Sequence, residues 1–66
     1  MTIKEKLSLF VENGIPISFI AKQMRVDPST LSKWLRGEKG ITHKNEDKVL
    51  FTLQEIVKKY NEILEG

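Results

Sequence analysis

The sequence predicts one small all-α domain covering residues 1–66, on three observations. Four stretches repeat their apolar residues at helical spacing, and no stretch alternates with period two over a useful length. Turn and cap residues fall between those stretches and not within them. A chain of 66 residues suffices for a single hydrophobic core and not for two.

The first helix runs from about Ile3 to Asn13, where Ile3, Leu7, Phe10 and Val11 share one face. Thr2 and Glu5 form a capping box at its start, and Gly14 suits a left-handed stop after its end. Pro16 then sits at or just before the first turn of a short helix, roughly Ile17 to Met24, marked by Phe19, Ile20, Ala21 and Met24. Asp27 is a strong N-cap, and Pro28 has the φ of a first helical residue. A third helix therefore runs from Pro28 to Gly37 with Leu31, Trp34 and Leu35 turned inward. After the loop Gly37–Gly40, Ile41 returns to the core. Thr42 or Asn45 then caps a last helix from about residue 43 to 65, with Glu46 and Asp47 at its positive end. On a wheel of ~100° per residue, Val49, Leu50, Leu53, Ile56, Val57, Tyr60, Ile63 and Leu64 share an arc of about 140°, with Phe51 opposite. The count is four helices, or five if the last one bends near Gln54.

Composition removes several classes. The chain has no cysteine, hence no disulfide, thiolate metal site or thiol nucleophile, which fits a reducing compartment. Apolar runs such as Val49-Leu50-Phe51 stop far short of the ~20 residues that span a bilayer, and no apolar segment of signal-peptide length follows Met1. The expectation is a cytoplasmic protein. Charge is uneven: residues 1–14 are neutral, residues 46–66 carry a net −2, and residues 15–45 carry a net +4 from Lys22, Arg25, Lys33, Arg36, Lys39 and Lys44 against Asp27 and Glu38. A basic middle implies an anionic partner.

The middle segment carries the functional reading. Two short helices joined by a tight turn cross steeply, and Ala21 is the small residue that such a crossing needs. Ile20, Met24, Val26, Leu31, Trp34 and Leu35 then face a shared core, which leaves Ser29, Thr30, Ser32, Lys33 and Arg36 outward on the second helix. That set contains no acid, its side chains can reach base edges and phosphates, and a helix has the width a B-DNA major groove admits. The expected unit is a helix-turn-helix over about residues 17–36.

The segment IAKQMRVDPSTLSKWLRGEKGI resembles the helix-turn-helix of the phage Cro and repressor family, also called XRE-like regulators. Ala21, the apolar set, the Asp-Pro-Ser-Thr-Leu-Ser start of the second helix and its Trp-Leu-Arg-Gly exit carry the resemblance. It covers roughly residues 15–42, with Ile3–Asn13 fitting as the family's first helix and residues 43–66 fitting only as generic helix. Arg25 departs from the pattern, standing at the turn position where the family usually has glycine. A left-handed backbone there costs a non-glycine residue on the order of 1 kcal/mol. Either the turn is altered or the arginine is tolerated because it serves a phosphate.

The resemblance implies a sequence-specific regulator of double-stranded DNA, of phage or mobile-element type, acting as a repressor in a bacterial or phage-infected cell and associated with the nucleoid. Lys33 is the central base-reading candidate, joined by Ser32 and by Ser29 and Thr30, for which capping and solubility are the plain alternatives. Phosphate candidates are Arg36 and Lys39 past the recognition helix, Lys22 and Gln23 on the helix before it, Arg25 in the turn, and Ser18, which could instead cap its own helix. The rival is a protein-interaction module, such as a phage-encoded inhibitor or an antitoxin-like protein, built on the same fold. A protein-binding face more often shows exposed aromatics or leucines than this outward set does.

Trp34 could stack on a base, but its phase with Leu31 and Leu35 assigns it to the core. His43 has no second histidine or cysteine beside it, only Asp47 one turn away, which is thin for zinc. The glycine loop lacks the Lys-Ser/Thr of a phosphate cradle, and no serine has a histidine and an acid arranged for nucleophilic attack. No catalytic residue, metal, cofactor or small-molecule ligand is expected. Leu50, Leu53, Val57, Tyr60 and Leu64 repeat at 3-4-3-4 spacing, about two heptads of an apolar seam. With Ile63, the residues Leu53, Val57, Tyr60 and Leu64 are the expected interface of a homodimer on a near-palindromic operator. The alternative is a bent helix that closes a five-helix monomer.

Overall fold

The computed structural model describes all 66 residues as four helices: α1 (Ile3–Glu12), α2 (Ile17–Met24), α3 (Pro28–Arg36) and α4 (His43–Glu65). No strand forms. α1 starts from the expected capping box, in which the Thr2 amide donates to Glu5 Oε1 at 2.9 Å and the Glu5 amide to Thr2 Oγ1 at 3.1 Å. Asp27 caps α3, accepting from the Ser29 amide at 2.9 Å, with Pro28 in the first turn. Thr42, and not Asn45, caps α4, accepting from the Asn45 amide at 3.3 Å.

The three short helices end in one way. Gly14, Arg25 and Gly37 each have positive φ, at 99°, 60° and 75°. At each, its own amide and the next one donate to carbonyls three and five residues back: Gly14 and Ile15 to Val11 and Phe10, Arg25 and Val26 to Lys22 and Ala21, Gly37 and Glu38 to Trp34 and Lys33. This paired closure is the Schellman motif, whose left-handed residue is usually glycine. The turn is therefore unaltered, and Arg25 stands in it with a left-handed backbone. Arg25→Gly should accordingly raise stability by about 1 kcal/mol, or roughly 4–8 °C in Tm for a domain this small. A thermal melt in which Arg25→Gly is less stable than the parent would show that the arginine side chain holds the turn.

The core is Leu7 from α1, Ile20, Ala21 and Met24 from α2, Leu31 and Trp34 from α3, and Val49, Leu53 and Ile56 from α4. Val26, Leu35 and Ile41 pack on it half-buried. Trp34 is only 2% exposed and its indole N–H has no partner in the chain, so shape rather than hydrogen bonding holds it. α2 packs on α3 and α4, and α1 packs on α3 and α4, which leaves one side of α3 open.

α4 is one uninterrupted helix, so the bend considered near Gln54 does not occur. Its 23 residues measure about 34 Å at ~1.5 Å each, and they set the 40 Å long axis of the molecule. The radius of gyration of 11.8 Å exceeds the ~11 Å of a fully compact chain of this length for the same reason. Nothing beyond Ile56 is buried. No helix is long and apolar enough to cross a membrane.

Leu53 requires a correction. Periodicity assigns it to a dimer interface, but it is 3% exposed and belongs to the monomer core. The seam runs continuously along α4, yet α1 covers its first half and leaves only Val57, Tyr60, Ile63 and Leu64 uncovered. Phe51, expected on the far side of α4, is 64% exposed there.

Candidate nucleic-acid interface

α3 buries Leu31 and Trp34 and half-buries Leu35, so one side of its wheel faces inward. Steps of ~100° place Ser29, Lys33 and Arg36 opposite, within about 60° of one another, and all three are exposed. Thr30 and Ser32 fall on the two flanks of this ridge and are half-buried. The four base-reading candidates thus share one open surface but are not equivalent: Ser29 and Lys33 form the crest, and Thr30 and Ser32 its sides.

Ser29 has a second employment. Its backbone amide donates to the Asp27 carboxylate, and that bond, helped by the Ser29 hydroxyl, holds the Asp27 carboxyl below its usual value. Glu5 is lowered in the same manner, first by the Thr2 backbone amide and then by the Thr2 hydroxyl. Both carboxylates have folded pKa values below their unfolded ones. Their contribution is therefore complete above the ordinary carboxylate range near pH 4 and disappears as pH falls through the lowered values. The thermal midpoint should be flat from pH 7 to about 5 and fall below about pH 4, and Asp27→Asn, which keeps a capping oxygen, should flatten that fall. An Asp27→Asn melt with the same acid dependence as the parent would remove Asp27 from this account.

The expected phosphate contacts separate into groups. Arg36 is exposed, but its Nε donates to Glu38 Oε2, an acid just past the helix that spacing on α3 alone does not bring into view. A solvent-exposed pair of this kind is worth ~0–1 kcal/mol and gives way readily to a phosphate. Lys39 is exposed and lines a shallow recess with Lys4, Gly37 and Glu46. The Lys4 ammonium lies 3.4 Å from where a Cβ on Gly37 would stand, at the negative end of the α3 dipole. Lys4 therefore joins Lys39 at the exit of α3, a member that sequence reading missed because it lies on α1.

Lys22 is exposed on α2, and Arg25 is exposed in the turn. Ser18 is exposed and does not cap α2: Pro16 holds the cap position with no side-chain bond, and the Ile17 and Ser18 amides donate to nothing in the chain. Gln23 is placed elsewhere, in a recess shared with Glu55, Lys58, Lys59 and Glu62, turned to α4 and away from α3. His43 is fully exposed and meets Glu46 at 3.0 Å, not Asp47.

The fold and this surface define a class: a small all-helical domain that presents one polar, cationic helix on a turn-braced core. No family model, curated protein or solved structure matches the chain.

Proposed function

We propose that the chain is a sequence-specific double-stranded DNA-binding regulator that places α3 in the major groove. The observation that carries the reading is the crest of Ser29, Lys33 and Arg36, exposed on a helix whose opposite face is locked into the core by Leu31 and Trp34. A recognition helix needs both properties, because base edges are read only by side chains held at fixed height and register. Lys22, Arg25, Lys39 and Lys4, with the open amides at the start of α2, supply phosphate contacts around it. The resemblance to phage Cro and repressor proteins supports the same reading and suggests repression by occupying an operator in the bacterial or phage-infected cytoplasm. Two copies would set two α3 helices in successive major grooves, ~34–36 Å apart, on a near-palindromic site.

Selection from a random duplex pool tests this. An enriched motif with two half-sites about one helical turn apart is the expected result. No enrichment at low salt would overturn the reading and turn attention to a protein partner. Within such a complex, Arg36→Ala and Lys39→Ala should weaken binding to all sequences alike. Each should lower the slope of log affinity against log salt by roughly one for every phosphate it no longer neutralises. A weakening confined to the preferred sequence would make them base readers.

A further inference from the structure

We propose that the groove between α1 and α4 is the seat for the end of α4 from a second copy of this chain, the two copies exchanging ends about a two-fold axis. This deepens the two-copy arrangement above and rests on it. The groove holds about 360 Å³ and is lined by Leu9, Phe10, Leu50, Leu53 and Val57, with Lys6 at its rim. It opens where α4 leaves the domain. Beyond Ile56, nine residues of α4 continue for about 13 Å, and none of them is buried. Their Tyr60, Ile63 (68% exposed) and Leu64 (84% exposed) prolong the same arc of the helix that Val49, Leu53 and Ile56 bury. One chain thus carries an empty apolar groove and an uncovered apolar rod side by side.

Three arguments favour a second copy as occupant. The rod is too short to fold back into its own groove without breaking α4, which has no proline or glycine before its last residue. Val57 belongs both to the groove lining and to the exposed stripe, so it falls nearest the axis of an isologous pair, in which the same patch serves on both sides. Charge is complementary as well: Lys6 flanks the groove and Glu62 and Glu65 flank the rod, and none of these three is paired within its own chain. A stable pair needs ~600–1,000 Å² from each copy, roughly an eighth to a fifth of the 4763 Å² surface of the chain. A groove and a rod filled twice over match that scale.

Sedimentation equilibrium from micromolar to hundreds of micromolar tests it. The parent should be a dimer, and Leu64→Glu and Leu9→Glu should each be monomers with unchanged circular dichroism. Mixing the two variants should restore a weak heterodimer, because one of its two seats joins an intact end to an intact groove. A second measurement does not depend on the folding of Leu9→Glu. The chain has no cysteine, so a spin label on Glu65→Cys is unique, and it should broaden the amide resonances of Leu9 and Phe10 in an unlabelled, isotope-enriched copy. A monomer throughout the range, or broadening confined to residues 57–65, would overturn the exchange. Monomers that still select a duplex would overturn this proposal alone. Dimers with crossed resonances and no duplex selection would uphold it and overturn the DNA reading.

Discussion

Leu31→Ala should leave the chain largely unfolded at ambient temperature. Leu31 is wholly buried, and truncating such a leucine costs about 2–5 kcal/mol because the cavity it leaves closes only partly. A chain of this length has a total stability of only about 3–10 kcal/mol, and the core offers few neighbours able to shift into the gap. Leu31 and Trp34 are also the only fully inward side chains of α3, so the substitution releases the recognition surface along with the core. Urea denaturation followed by circular dichroism reads the effect, with Ser32→Ala on the flank of the same helix as the comparison. A Leu31→Ala midpoint close to that of Ser32→Ala would mean that α3 is not held to the domain in the way its burial indicates.

The parts of this fold that could be read from the sequence are those decided by neighbours a few residues away. Thr2 with Glu5, Asp27 with Pro28, and Thr42 mark helix starts because cap bonds span only two or three residues. Trp34 and Phe51 could be assigned to opposite fates because each has a clear phase against its own helix. Leu53 shows the limit. Periodicity places it on the apolar arc of α4, but whether that stretch faces the core or a partner depends on where α1 ends above it. Lys4 beside Gly37, and Gln23 turned to α4, are likewise products of packing between distant segments. Arg25 is the instructive intermediate case. The sequence flags it as the residue out of pattern, and only the backbone, with Gly14 and Gly37 in matching turns, reveals the turn to be ordinary and the residue to be the exception.

That exception gives the proposed function its internal control. A residue retained against about 1 kcal/mol of backbone preference is explained if its guanidinium meets a phosphate, so Arg25→Gly should gain stability and lose affinity for every duplex.

Lys33→Ala should behave differently from every phosphate-contact variant. Lys33 is exposed at the middle of α3, on the crest with Ser29 and Arg36, and makes no ion pair within the chain. A lysine so placed reaches a guanine O6 or N7 in the major groove, and removing that hydrogen bond costs about 1–3 kcal/mol of discrimination. Affinity for the selected operator should therefore fall about 5- to 150-fold, while affinity for random duplex changes far less. Preference at one base position in each half-site should relax. The folded domain should be unaffected, since alanine is the better helix former and the lysine side chain is exposed. Competition binding at fixed salt, with the operator and its single-position variants, separates the outcomes. Equal weakening on operator and random duplex would reduce Lys33 to a phosphate contact. Unchanged affinity on both would take α3 out of the groove.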